Sequence, residues 1–266
     1  MIGFNNLGRM GRLANQMFQY ASLKGIARRH GYDYMISYHQ DVVDDGIGNM
    51  LRTELFDSFD LKVRTGIYEA PILGERHFHF DQELFDKCPD NVVLQGYFQT
   101  DKYFKHIEDE LREDFTFKDD ILNPCKEMMC QMDFPIALHI RRGDYVINSA
   151  NHPLCTLEYY ENALNHFDDD REVIVFSDDP AWCKEQELFS DDRFMISENE
   201  DNRIDLCLMS LCSDFIIANS SFSWWGAWIS ANKDKKVIAP RQWFGANGYT
   251  KDHNTKDVIP DGWTRI

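Results

Sequence analysis

Two adjacent arginines, Arg141 and Arg142, interrupt a chain that is otherwise strongly acidic. Guanidinium is the side chain best suited to bidentate phosphate binding. Asn219-Ser220-Ser221 stands just before a helical stretch, so its hydroxyls and amides form an anion-binding helix N-terminus. Arginines and a helix N-terminus together can hold a diphosphate without a metal. The carboxylates of Asp178 and Asp179 suit ribose hydroxyls, and Asp205 can accept two hydrogen bonds from a guanine edge. Each cluster also has a plainer reading. An Arg-Arg pair is commonly a surface ion-pair site, and Asp178-Asp179 a solvated turn. Asp168-Asp169-Asp170 contains an Asp-x-Asp spacing but precedes a strand, so it is not read as a metal site. His77 and His79 read as packing, and Trp224 and Trp225 as core.

The elements that must position these residues decide between the readings. The second half alternates strands at 135–140, 172–176, 194–196, 214–218 and 236–239 with helices at 157–167, 180–188, 202–211 and 222–231. Continuous apolar strands alternating with helices predict a parallel, doubly wound sheet. Ligands of such sheets bind at the carboxyl ends of the strands. His139-Ile140-Arg141-Arg142-Gly143-Asp144, Ser177-Asp178-Asp179 and Asn219-Ser220-Ser221 all follow strands, so one cleft can collect them. The first half opens on a Gly-rich turn at 7–12. A helix follows at 14–29, with Ala14, Phe18, Ala21 and Gly25 on one narrow face, and Gly31 ends it. Strands are expected at 32–37 and 91–98, and a charged helix at 101–113.

Length, charge and cysteine count set outer limits. The 266 residues allow one large domain or two smaller ones. Residues 1–135 carry 15 Lys+Arg against 23 Asp+Glu, and residues 136–266 carry 13 against 22. The acidity is spread evenly, so it is a surface property that disfavours nucleic acid and anionic membranes as bulk partners. No signal peptide and no apolar stretch of membrane-spanning length is visible. Seven cysteines without a Cys-x-x-Cys pair read as free thiols in a reducing compartment, so a cytoplasmic location is expected.

Several segments closely resemble the α-1,2-fucosyltransferases of glycosyltransferase family 11. They are Gly11-Arg12-Leu13-Ala14-Asn15-Gln16-Met17-Phe18-Gln19-Tyr20-Ala21, Gly96-Tyr97-Phe98-Gln99-Thr100-Asp101-Lys102-Tyr103-Phe104, His139–Val146, Phe176–Asp179 and Ala218–Ala227. They run in family order along nearly the whole chain. Two departures are Ala14, where many bacterial members have Gly, and the short N-terminus, from which no membrane anchor of the kind animal members carry is expected.

The resemblance implies an α/β, GT-B-like fold with two Rossmann-like domains facing a central cleft. Residues 1–135 would face the acceptor, and residues 136–266 would bind GDP-fucose. The implied reaction is inverting, metal-independent transfer of L-fucose from GDP-β-L-fucose to the 2-hydroxyl of a β-galactoside. No cofactor is implied beyond the donor substrate. The glycan acceptor carries a terminal galactose, and contact with a lipid-linked glycan would be transient. Arg141 and Arg142 match the basic motif, where an arginine stabilises the departing GDP. His139 and Asp205 match nucleotide contacts. Ser177, Asp178 and Asp179 match a second motif, and Asn219, Ser220, Ser221 and Phe222 a third beside the phosphates and ribose. Arg12 and Asn15 match an element facing the fucosyl diphosphate from the other domain. Asp144 and His152, both near the arginines in sequence, are the candidates for the base that takes the acceptor proton, with Asp144 ranked first. The alternatives are a transferase using another nucleotide sugar, or a non-catalytic glycan-binding protein in which Trp224, Trp225 and Trp243 stack on sugars.

Overall fold

A computed structural model describes residues 1–46 and 49–266. The chain divides into two units. Unit 1 comprises Met1–Lys118 and His253–Pro260, and unit 2 comprises Asp119–Asp252 and Asp261–Ile266.

Unit 1 holds strands β1 (Ile2–Phe4), β2 (Tyr34–Ile36), β3 (Val43–Asp44), β4 (Met50–Leu51), β5 (Arg64–Thr65), β6 (Ile72–Gly74) and β7 (Val92–Gln95). Its helices are α1 (Leu13–His30), α2 (Leu55–Ser58), α3 (Gln82–Lys87) and α4 (Glu108–Asp114). Five strands form a parallel sheet in the order β5-β2-β1-β7-β6, and β3 pairs with β4 as a separate hairpin. Helix α1 is buried on all sides from Leu13 to Ala27 except at Asn15, not on one narrow face as its small residues predict. Several of its polar positions bond across to neighbouring segments. Glu54 caps its first turn by accepting from Leu13 N at 2.5 Å, and Lys24 Nζ meets Asp114 at 2.6 Å. Gly31, at φ 69°, closes the helix with its N–H on Ala27 O, as its position predicts.

Unit 2 holds α5 (Asp119–Met129), β8 (Ile136–Ile140), α6 (Leu157–Leu164), β9 (Val173–Ser177), α7 (Pro180–Lys184), β10 (Phe194–Ile196) and α8 (Asn202–Leu211). It continues with β11 (Asp214–Ile216), α9 (Ser221–Ile229), β12 (Val237–Ala239) and β13 (Thr264–Arg265). Its six strands are all parallel, in the order β10-β9-β8-β11-β12-β13. The core joins Ile136, Leu138 and Ile140 of β8 to Val173 and Val175 of β9 and to Tyr160, Ala163 and Leu164 of α6. Both units are thus parallel α/β sheets with helices between the strands, the expected Rossmann-like type.

The division falls at Lys118/Asp119 and not at 135/136. Helix α5 belongs to unit 2 because it packs on α8, with Cys125 Sγ 3.8 Å from Ile204 O. The segment His253–Pro260 returns to unit 1, where Asp257 accepts from Lys102 Nζ at 2.5 Å and from Phe80 N at 3.1 Å. The His253 ring stacks on Phe78. The cysteines are free thiols, five of them buried.

Candidate functional site

In a doubly wound sheet the strand order reverses at one point, and loops leaving there diverge to opposite faces, opening a crevice. In unit 2 that point lies between β8 and β11. The residues that follow β8 are Arg141 and Arg142, and those that follow β11 lead through Asn219 and Ser220 into α9.

The register of β8 on β9 pairs Ile140 with Ser177, which sets Arg141 and Arg142 beside Asp178 and Asp179. Arg141 bonds Asp178 through one terminal nitrogen and Asp144 through the other, and its guanidinium lies 5.3 Å from the Tyr145 ring centre. Arg142 N donates to Asp178 at 2.8 Å and its Nε to Asp179 at 2.9 Å. Its guanidinium covers the Trp182 ring at 4.0 Å. Asp179 also caps α7, accepting from Trp182 N at 3.2 Å, while its own N–H donates to Ser177 Oγ at 3.0 Å. The arginine side chain holds the Asp179 carboxyl below the usual carboxylate range. Asp178 and Asp179 are therefore engaged with arginines and not set apart for ribose. Each guanidinium still has N–H donors left over, because Arg141 commits one from each terminal nitrogen and Arg142 only Nε. Gly143, at φ 20°, leaves no room for a side chain, since a Cβ there would collide with Asp178 Oδ2.

His139 is buried, with Nδ1 2.9 Å from Ser223 Oγ and its ring 5.6 Å from Phe222. Burial, reinforced by the Arg141 charge, lowers its pKa to about 3, so the imidazole is neutral at ordinary pH. Asp205, buried in the first turn of α8, accepts from Ser197 Oγ at 2.6 Å and Asn199 Nδ2 at 2.9 Å, both on Oδ1. Burial raises its pKa, and these two bonds pull it back. Ser220 caps α9 through the Phe222 N–H, and Ser221 and Phe222 are partly exposed on the first turn. Asn219 departs from its expected role. It is buried, with Nδ2 donating to Pro153 O at 2.9 Å and Trp243 O at 3.0 Å, and Oδ1 facing the Cys155 thiol. Its side chain staples two loops and has no donor to spare for a phosphate.

The two base candidates differ. Asp144 has Oδ1 committed to Arg141. His152 stacks on Tyr145 at 4.7 Å and meets the edge of Phe244, and its Nδ1 bonds no described residue. Burial lowers its pKa and favours the neutral imidazole.

In unit 1 the strand order reverses between β1 and β7. Arg12 is exposed, 3.7 Å from Glu54, and Asn15 is partly exposed, with Oδ1 accepting from Gln99 Nε2 at 2.7 Å. His77 and His79 stack on each other at 4.9 Å. Among the described residues no cluster of three or more His, Cys, Asp or Glu has metal-holding geometry. Trp224, Trp225 and Trp243 are all buried in unit 2, so they cannot stack on sugars, and a lectin built on them is excluded. Tyr145, Trp182, Ser197 and Asn199 are contributors that sequence reasoning passes over. Trp182 alone carries a signal, since Asp179-Pro180 is a helix start that places it on the first turn.

The profile of glycosyl transferase family 11 matches residues 1–266. The chain belongs to this family. It is 37% identical over 202 residues to the O-antigen biosynthesis glycosyltransferase WbnK of Escherichia coli, covering 69% of this chain and 65% of that protein. It is 33% identical to an alpha-1,2-colitosyltransferase of Escherichia coli, covering 96% of each. It is 24% identical to galactoside alpha-(1,2)-fucosyltransferase 2 of Bos taurus, covering 87% of this chain and 70% of that one. Among solved structures, the NodZ alpha-1,6-fucosyltransferase co-crystallized with GDP aligns with a TM-score of 0.54 at 13% identity, covering 85% of this chain and 91% of that one. The fold is GT-B-like, and the family 11 chain is a glycosyltransferase.

Proposed function

We propose that this glycosyltransferase moves L-fucose from GDP-β-L-fucose to the 2-hydroxyl of a β-galactoside, with inversion and without a metal. The observation that carries the reading is the pair Arg141-Arg142, oriented by carboxylates and aromatic rings at the strand-order reversal of unit 2. Their uncommitted N–H donors take the diphosphate. In the reaction the acceptor oxygen bonds to the anomeric carbon as the bond from that carbon to GDP breaks. Charge collects on the departing diphosphate, and fixed guanidiniums stabilise it most in the transition state. Asp205 receives the guanine edge. The acceptor hydroxyl proton passes to His152, whose ring burial keeps neutral, in preference to Asp144, whose Oδ1 is bonded to Arg141. Arg12 and Asn15 serve the sugar. The acceptor is a galactose-ending unit of a surface polysaccharide, met transiently while lipid-linked, on the cytoplasmic side.

A second reading has one specific observation behind it. A relative matched over 96% of this chain is a colitosyltransferase, so colitose is the competing sugar. Transfer assays in EDTA, with GDP-fucose and GDP-colitose against a panel of β-galactosides, decide between them. Fucosylated product bearing an α-1,2 linkage is expected. Transfer of colitose alone moves the assignment to the second reading, and neither transfer nor donor hydrolysis rejects both. D144N keeps an acceptor for Arg141 and is expected to stay within about tenfold of wild type, whereas H152A falls further.

A further inference from the structure

The loop 96–99 leaves β7 at the strand-order reversal of unit 1, and it is held with unusual rigour. Gly96 sits at φ 158°, where a Cβ would run into the Cβ of Glu75. Phe98 is in the left-handed region at φ 52°, a conformation phenylalanine rarely adopts. Several contacts enforce it. The Glu75 carboxylate accepts from Tyr97 N at 2.8 Å and Phe98 N at 3.0 Å. Gln19 Nε2 and Ser22 Oγ, both on α1, reach Gly96 O and Phe98 O at 3.3 Å each. The Phe98 ring is buried between Phe4 and Tyr103.

The outcome is that Gln99, itself buried, donates through Nε2 to Asn15 Oδ1 at 2.7 Å. Asn15 is the one position from 13 to 27 in α1 that is partly exposed. With Oδ1 taken, its Nδ2 lies above Gly11, where a Cβ would collide with it, and it bonds no described residue. A left-handed Phe98 stored beside an accessible amide marks a site whose geometry is worth its strain.

We propose that Gln99 is a positioning residue that fixes the Asn15 amide so that Nδ2 is presented to an oxygen of the sugar substrate. The turn clamped by Glu75 serves to place Gln99. The role of Asn15 toward a sugar rests on the function proposed above; the orientation imposed by Gln99 does not.

The test compares N15A, N15D, Q99M and N15A/Q99M with wild type. N15D keeps the bond from Gln99 but offers an acceptor in place of a donor. It is expected to lose as much kcat/KM as N15A, about tenfold to a hundredfold. Q99M loses less, and N15A/Q99M is no worse than N15A, because Gln99 acts only through Asn15. Wild-type activity in N15D, or effects of N15A and Q99M that multiply, overturns the proposal. A second measurement is independent of activity. The Asn15 side-chain amide resonances, identified by their loss in N15D, are expected to move in Q99M while the rest of the spectrum and the melting temperature hold. Unmoved resonances overturn the proposal. If wild type transfers no sugar from either donor, the functional reading fails and these resonances alone judge Gln99.

Discussion

The two units carry the same kind of parallel sheet, but their strand-order reversals hold opposite chemistry. In unit 2 the reversal between β8 and β11 is charged, with Arg141 and Arg142 interleaved among Asp144, Asp178 and Asp179. In unit 1 the reversal between β1 and β7 is lined by amides, Asn15, Gln16, Gln19 and Gln99, tied to backbone carbonyls and to one another. A fixed guanidinium suits a leaving group that gains charge. A neutral amide suits sugar hydroxyls, which need direction but no charge. Topology alone supplied two equivalent reversals, and side-chain chemistry makes one charged and the other rich in amides.

The sharpest way to break this contrast is Arg141→Ala. It removes the guanidinium proposed to meet the diphosphate and takes from Asp144 and Asp178 the cation they share, leaving Asp178 only the Arg142 N–H. Loss of about 10²–10³ in kcat with GDP-fucose is expected from steady-state kinetics. A similar loss from Arg12→Ala, with R141A mild, would reverse the roles of the two units.

The next effect is on acid stability. His139 has a folded pKa near 3 against an ordinary value of 6.5. Below pH 6.5 the unfolded chain gains a proton that the folded one refuses. Stability is therefore unaffected by His139 above pH 6.5, and falls as pH drops from 6.5 toward 3. Denaturant melts of wild type and H139Q between pH 7 and 4 are expected to converge at low pH, by on the order of a few kcal/mol. Parallel curves would contradict the burial argument.

The α1 helix sharpens the other side of the comparison. Ala21 is fully buried, and Ala21→Leu is expected to destabilise by roughly 1–3 kcal/mol through overpacking. An unchanged melting temperature would remove α1 from the core that carries Asn15. The smallest effect is Asp179→Ala, which deletes the cap of α7 and costs about 1 kcal/mol of stability. It also frees Arg142 Nε, so GDP affinity shifts in step if that carboxylate orients the guanidinium.

Residues 194–196 and 202–211 are legible because apolar runs are bounded by charged turns. The strand β1 escapes notice, since three residues give no periodicity to read. Residues 101–113 read as one helix, yet Phe104 at φ −139° splits the stretch into two short 3₁₀ turns before α4. Helix α5 is masked by Pro124 within it. In the site, the arginines are visible from residue type and position. Their pairing with Asp178 and Asp179 is not, because it depends on the β8/β9 register. Asn219 misleads for a related reason: a polar residue before a helix looks free until the loops at 153 and 243 are seen to use it. The bond between Gln99 and Asn15 spans a sequence gap that no local pattern records.

The most direct measurement is calorimetric titration of GDP in EDTA into wild type, R141A and R142A, with UDP as the competitor. Saturable binding of GDP to wild type, stabilising the fold by about 2.7 kcal/mol at 100 times Kd, is expected, with affinity lost in both variants and absent for UDP. GDP binding that survives both substitutions, or that requires added metal, would contradict a diphosphate site built on Arg141 and Arg142.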